Sequence, residues 1–278
     1  MIPAGNCFPR FLAVKIRAKS GKKLVITGYM EVNYSAMKWM IAAVSVCLLI
    51  SACASEEHKR EMEYFDDGNA YFAKDKFDPS QKSYQKLLDE SPDSPFRIHS
   101  LLGSADAYYL EGEYIASAPV YARFVELYPQ DELTPHALFY EAMSYYRDMV
   151  ALKKDQTNAG KALEIFTEFA RKYPMHFATP FVLDKITSLN DRLAEKEFEV
   201  ALFYFKTTAY ISCISRVNYL LEKWPHTRFK ADALMLKGKS YLAEEAFDKG
   251  NAVLRQLVAD FPTTGAGIEA ATLLAAKP

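Results

Sequence analysis

Residues 105–129 read ADAYYLEGEYIASAPVYARFVELYP. A small residue, Ala105, stands 24 positions before the closing proline, Tyr108 follows it by three, and a second small residue, Ser117, lies 12 positions before Pro129. Tyr121 and Phe124 continue from Ser117 at i+4 and i+7, a spacing that aligns them on one face of a helix. The register recurs along the chain. Twenty-four residues before Pro92, Pro225 and Pro262 stand Gly68, Ala201 and Gly238, followed three residues later by Tyr71, Tyr204 and Tyr241. Twelve residues before the same prolines stand Ser80, Cys213 and Gly250, each with a stripe behind it: Tyr84 and Leu87, Val217 and Leu220, Leu254 and Leu257.

Each unit therefore reads as two helices ending at Ser91-Pro92, Tyr128-Pro129, Tyr173-Pro174, Trp224-Pro225 or Phe261-Pro262. The small residues let the two helices cross closely, and the tyrosine one turn on is expected to fill the gap beside the crossing. Small-x-x-Tyr in a unit of this length is the first-helix signature of a tetratricopeptide repeat. The third unit has the same pieces, Ala142 and Tyr145, then Ala162, Phe166, Phe169 and Pro174, with eight extra residues between them. These fall at 151–158 and are expected to lengthen the inter-helix loop. From Thr179 to Phe205 only Pro180 could break a helix, which predicts one long helix leading into the fourth unit. The expected fold is all-α, a tetratricopeptide-repeat superhelix of about five helix pairs behind a lipoprotein signal peptide.

Composition agrees with this fold. Of 278 residues half are hydrophobic, and 11 Gly and 13 Pro are too few for a sandwich or barrel that turns every eight to twelve residues. The formal charge of -1 leaves no strongly basic face for nucleic acid. Five histidines, at 58, 99, 136, 176 and 226, form no i, i+4 pair, and no GxSxG, Walker A or GxGxxG string occurs. Cys213 occupies a small crossing position and reads as a packing residue. A non-enzymatic protein without cofactor or metal is expected.

Residues 37–53 read MKWMIAAVSVCLLISAC, one lysine and an uncharged run ending in a cysteine behind two small residues. The run is shorter than the roughly 20 apolar residues of a membrane span and has the n-region and h-region of a secretory signal peptide. Ile50-Ser51-Ala52-Cys53 resembles the lipobox of bacterial lipoproteins, so Cys53 is the expected lipidation site. Residues 1–36 read as an upstream extension before Met37, 37–52 as signal peptide, and 53–59 as lipidated cysteine with a short linker. Residues 1–52 hold seven Lys/Arg and one Glu, so the remainder, with 27 basic and 34 acidic side chains, is acidic.

The first helices of such a superhelix line a concave face, through repeat positions 2, 5, 9 and 12 in peptide-binding relatives. The first repeat supplies Met62, Phe65, Asn69 and Phe72, the second His99, Leu102, Asp106 and Tyr109, the third His136, Phe139, Met143 and Tyr146. The set forms an apolar lining with a few polar points, as a groove for an extended peptide requires, although any one member could instead pack as core. Phe65, Asn69, Phe72, His99, Leu102, Asp106 and Tyr109 are the candidate client-groove residues.

Asn190-Asp191-Arg192-Leu193-Ala194-Glu195, followed by Val200-Ala201-Leu202-Phe203-Tyr204 and Ser215-Arg216-Val217, adds a more specific pattern. With the lipobox and five repeats, residues 37–278 resemble the BamD (ComL) family, lipoprotein components of the outer membrane β-barrel assembly machinery. The resemblance implies a lipid-anchored protein on the periplasmic face of the outer membrane. Repeats 1–3 (60–174) would receive unfolded outer-membrane proteins, and repeats 4–5 (175–278) would hold the periplasmic part of BamA beside other Bam lipoproteins. By position, Arg216 is the candidate BamA contact. A lipoprotein adaptor for proteases or cell-wall enzymes would share the repeats and remains the alternative.

Overall fold

The computed structural model describes residues 42–44, 56, 58–152 and 156–276. Cys53 and most of the expected signal peptide lie outside the described residues. The chain divides into two units, 1–57 and 58–278, and the second contains the repeats.

That unit is built from helices, with no strand among the described residues. They are α1 (58–72), α2 (Phe77–Glu90), α3 (Arg97–Glu111), α4 (Tyr114–Leu127), α5 (Thr134–Leu152), α6 (Thr157–Lys172), α7 (Thr179–Lys206), α8 (Tyr210–Lys223), α9 (Lys230–Ala243), α10 (Phe247–Asp260) and α11 (Gly265–Ala275). Consecutive helices pair as five hairpins, α1/α2 to α9/α10. α11 follows the last hairpin and packs on both α9 and α10.

Turn chemistry repeats as strictly as the helices. The residue before each unit-closing proline donates its N–H four residues back, as Tyr128 does to the Phe124 carbonyl, and the proline, having no N–H, cannot extend the helix. Two residues beyond the proline a side chain then accepts a backbone N–H of the next helix entry. Ser94 accepts from Phe96, Asp131 from Leu133, His176 from Ala178, Thr227 from Phe229, and Thr264 from Gly267. Four chemically different residue types fill this position, bonding the N–H two residues on in the first four turns and three residues on at Thr264, where the side chain caps α11, which is why no sequence motif revealed it. Within the hairpins, the residue seven beyond the small one turns left-handed: Asp75, Gly112, Thr208 and Glu245 have φ of 54°, 89°, 57° and 59°. Only Gly112 adopts that conformation without steric cost.

In the third hairpin the equivalent residue, Met149, is helical. α5 continues to Leu152 and α6 begins at Thr157, so the extra residues of 151–158 are partly helical, which corrects the expectation of a loop. α7 is the expected long helix, 28 residues in all.

At the crossings, a Cβ on Gly68 would stand 2.5 Å from the Tyr84 ring and one on Gly238 2.6 Å from Leu254, while the Ser80 hydroxyl bonds the Gly68 carbonyl at 2.9 Å. The gap is thus filled from the second helix, by the residue four after its small one. Tyr71, expected to fill it, is 36% exposed. The second-helix stripes are buried throughout: Tyr121, Phe124, Phe166, Phe169, Val217, Leu220, Leu254 and Leu257 have no exposed surface.

Candidate peptide groove and partner face

Rings carry the contact between successive first helices in the N-terminal part of the unit. Phe65 on α1 is half-buried, lies parallel to Phe96 at 4.9 Å and meets the edge of His99 on α3 at 6.4 Å. Phe72, also half-buried, packs edge-on against Phe77 at 5.6 Å. Tyr109 on α3 meets Tyr140 on α5 at 4.9 Å and Tyr114 at 5.3 Å, both edge-on. Phe139 on α5 meets Phe181 on α7 at 6.0 Å.

The polar members of the candidate groove are already engaged. Asn69 Oδ1 accepts the Tyr84 hydroxyl at 2.8 Å, and Asp106 accepts from Tyr121 and from His136 Nε2, the latter at 3.0 Å. Burial, reinforced by the Asp106 carboxylate, pushes the Tyr121 hydroxyl far above the usual tyrosine range, so it remains a donor. Leu102 is 8% exposed and belongs to the core with Leu88, Leu101, Tyr121 and Phe124, and Met143 is likewise buried. His99 and Met62 are exposed. Phe65, Phe72, Tyr109, Phe139 and Tyr146 therefore form the accessible aromatic lining, with His99, Asn69 and Asp106 beside it.

Sequence reasoning missed Phe181 and Lys185, which extend this lining onto α7. Lys185 holds its ammonium 5.1 Å from the Tyr146 ring centre and 4.7 Å from that of Phe181. Their i, i+4 spacing was legible, but α7 was read only as a connector.

Charges dominate around α7, α8 and α9. Arg216 on α8 pairs with Glu197 on α7 at 3.1 Å, with 45% and 21% of the side chains exposed. Glu195 pairs with Arg228 at 3.7 Å. Asp191 accepts both the Thr227 hydroxyl, at 2.8 Å, and the Arg228 N–H, at 2.9 Å, which ties α7 to the turn before α9. A polar cleft of about 380 Å³ lies here, between Asp184, Thr187, Ser188, Arg192 and these groups. A second cleft, of about 420 Å³, is lined by Phe198, Leu202, Met235, Leu236 and Ala266. Cys213 is buried, and burial pushes its thiol up, consistent with a packing role. Among the described residues no group of three or more His, Cys, Asp or Glu could hold a metal, and no helix is long and apolar enough to cross a membrane.

Comparison with known proteins gives this arrangement a context. The YfiO family, described as outer membrane lipoprotein, matches residues 57–253. The outer membrane protein assembly factor BamD of Xylella fastidiosa strain Temecula1 is 23% identical over 224 residues, covering 75% of this chain and 76% of that protein. The BamD of Caulobacter vibrioides is 29% identical over 114 residues, 40% of this chain and 37% of the relative. That of Xylella fastidiosa strain 9a5c is 28% identical over 89 residues, so this alignment spans 30% of the relative's length. Among solved structures, the TPR2AB domain in complex with pHSP90 from yeast Sti1 aligns with 76% of this chain and 81% of its own, at 14% identity and a TM-score of 0.37.

Proposed function

This chain belongs to the YfiO family of outer membrane lipoproteins, and from that premise we propose that it is a non-enzymatic scaffold for the assembly of β-barrel proteins into the outer membrane. The observation that carries the reading is the extent of the family match. It spans the repeats themselves, from the start of α1 into α10, and includes both the aromatic lining and the charged α7–α9 region.

In this reading Cys53 carries the lipid that holds the protein on the periplasmic face of the outer membrane. Repeats 1–3 receive unfolded outer-membrane proteins through Phe65, Phe72 and Tyr109, whose apolar faces suit an alternating apolar strand with an aromatic end. Asn69 and Asp106, being committed to Tyr84, Tyr121 and His136, position the lining more than they bond the client. Repeats 4–5 hold the periplasmic domains of BamA, with Arg216 at the contact and other Bam lipoproteins alongside.

Affinity purification from outer membranes tests the whole reading. BamA and barrel proteins should co-purify, and photocrosslinkers at 72 and 109 should capture barrel proteins. Recovery of proteases or cell-wall enzymes in their place would make the protein an adaptor of another kind. Labelling with palmitate should mark the wild type and spare Cys53→Ala.

A further inference from the structure

The turns that join one hairpin to the next share one geometry and can be compared position by position. Each leaves two residues exposed, the one after the unit-closing proline and the one two further on. Four of the five turns place there Asp93 and Pro95, Gln130 and Glu132, His226 and Arg228, or Thr263 and Gly265. The turn between α6 and α7 places Met175 and Phe177, 94% and 90% exposed, the most exposed large hydrophobic side chains among the described residues. The fold does not require them, because the same turn is made elsewhere without a large apolar side chain.

The charges around this turn differ as well. Asp89, Glu90 and Asp93 surround the first turn, and Glu126, Asp131 and Glu132 the second. Around the α6–α7 turn no Asp or Glu occurs from 169 to 183, and the exposed Arg171 and Lys172 close α6. Arg171 makes no ion pair among the described residues, and Lys172 pairs with the exposed Glu168 one turn back, a contact that is easily exchanged.

We propose that the α6–α7 turn is a membrane contact, with Met175 and Phe177 entering the headgroup–acyl boundary of an anionic phospholipid bilayer and Arg171 and Lys172 meeting its phosphates. The inference rests on the lipid-anchored reading of the protein and adds a second point of attachment, which fixes the orientation of the repeats over the bilayer.

Three features support this occupant. A protruding apolar tip with cations behind it suits a bilayer interface, where apolar burial and attraction to anionic lipids add. The tip is ordered before insertion: the His176 ring lies 4.4 Å from Phe177 and meets Phe169 edge-on at 5.3 Å, its Nδ1 accepts the Ala178 N–H, and Pro174 and Pro180 restrict the backbone on either side. Topology supplies the third. Successive helices run antiparallel, so each odd-numbered helix from α1 to α9 starts at the same edge of the repeat unit. The start of α1 is held at this edge, where His58 stacks on Phe96 at 6.0 Å and Glu61 accepts from the Ser94 hydroxyl at 3.1 Å. Five residues join Cys53 to His58, at most about 18 Å of extended chain, so a lipid on Cys53 draws the edge that carries Met175 and Phe177 towards the bilayer.

Tryptophan fluorescence of the full-length lipidated protein tests it. Met175→Trp and, for comparison, Gln130→Trp are reconstituted in vesicles of phosphatidylcholine with a minority of phosphatidylglycerol, with and without brominated acyl chains, and the wild-type signal is subtracted. Quenching at position 175 should exceed that at 130 by about threefold or more, the contrast between a side chain in the acyl boundary and one in water. Adding Phe177→Ser should weaken it, and adding Arg171→Gln with Lys172→Gln should remove its dependence on phosphatidylglycerol. Equal quenching at 130 and 175, or none at 175 in protein that floats with the vesicles, would overturn the contact while leaving the lipid anchor intact. Protein that does not float with the vesicles would overturn the anchor and the contact together. Emission from position 175 that turns blue only when BamA is added would make the turn a plug for a protein and overturn the bilayer contact.

Discussion

The junctions between successive first helices are made in two ways within one scaffold. α1, α3, α5 and the start of α7 meet through rings, Phe65 on His99, Tyr109 on Tyr140, Phe139 on Phe181. α7 and the entry to α9 meet through Asp191, Glu195 and Arg228 beside one stacked pair, Phe198 on Phe229. Ring contacts are weakly directional and leave apolar faces that any strand of alternating hydrophobicity can cover. Ion pairs and carboxylate hydrogen bonds are directional, and an exposed pair can exchange one partner for another. The repeat thus supplies a common hairpin, and the proposed division between a variable client and a defined partner rests on the residues at its junctions.

That contrast requires the hairpin itself to be the same in both halves, and overpacking its crossings should produce the largest effect. A leucine at Gly68 must displace Tyr84, and one at Gly238 must displace Leu254, each a buried side chain with no free space. Both substitutions are expected to cost about 3 kcal/mol. Phe65→Ala, at a half-buried site, should cost less than either. Urea melts of the three variants check the ranking, and a larger loss for Phe65→Ala would mean that the ring ladder is core and that the two halves differ less than their surfaces suggest.

Next in size is the polar tie of the C-terminal half. Asp191→Ala leaves the Thr227 hydroxyl and the Arg228 N–H without their acceptor and should destabilise by about 2 kcal/mol. Thr227→Val removes one of the two Asp191 bonds together with the Phe229 N–H bond and should destabilise the same turn. Hydrogen exchange should report the change at the α8–α9 turn in both variants and not in α1–α4. Protection lost across the whole unit would show that the halves unfold together and that the junction is not a local device.

A half-buried carboxylate, Glu141, sits in the third hairpin. Burial, and then the neighbouring Glu168, push Glu141 up to about 7. Between about pH 4.5 and 7 the folded chain therefore binds more protons here than the unfolded chain, so this group's contribution to stability falls as pH rises through that window. Glu141→Gln removes the penalty and should stabilise by about 1 to 2 kcal/mol at pH 8, with little change at pH 4.5. Thermal melts at the two pH values check the sign, and an equal shift at both would mean that the gain comes from packing instead of ionisation.

The legible and illegible parts of the molecule divide along physical lines. Small residues 24 and 12 positions before each proline were readable because a helix crossing tolerates few side chains, so the chemistry at those positions is narrow. The acceptor two residues after each proline was not, because serine, aspartate, histidine and threonine all take a backbone N–H there. Asn69, Asp106 and Leu102 share the inner-face register, yet the first two are held by Tyr84, Tyr121 and His136 and the third is covered by neighbouring core residues. Periodicity gives the face of a helix and says nothing of what the neighbouring hairpin lays upon it. For the same reason Arg216 was readable as a charged surface residue whereas its partner Glu197, on the preceding helix, was not.

Arg216 gives the smallest expected effect on stability and the sharpest test of partner exchange. Its ion pair with Glu197 is largely solvated and should contribute less than about 1 kcal/mol, so Arg216→Glu should barely move the melting temperature. Binding to the periplasmic domains of BamA should nevertheless weaken by tenfold or more, since reversal sets two acidic groups at the contact and adds repulsion. The charge-swapped variant Arg216→Glu, Glu197→Arg separates two explanations. If the partner reads Arg216 itself, the swap restores the internal pair and binding stays weak. If the pair serves only to position α8 against α7, the swap restores binding as well, and the charged half of the molecule becomes a matter of internal geometry. Unchanged affinity in the single variant would put Arg216 on an idle face and move the search for the contact to Arg192, which borders the polar cleft of α7 without an acidic partner among the described residues.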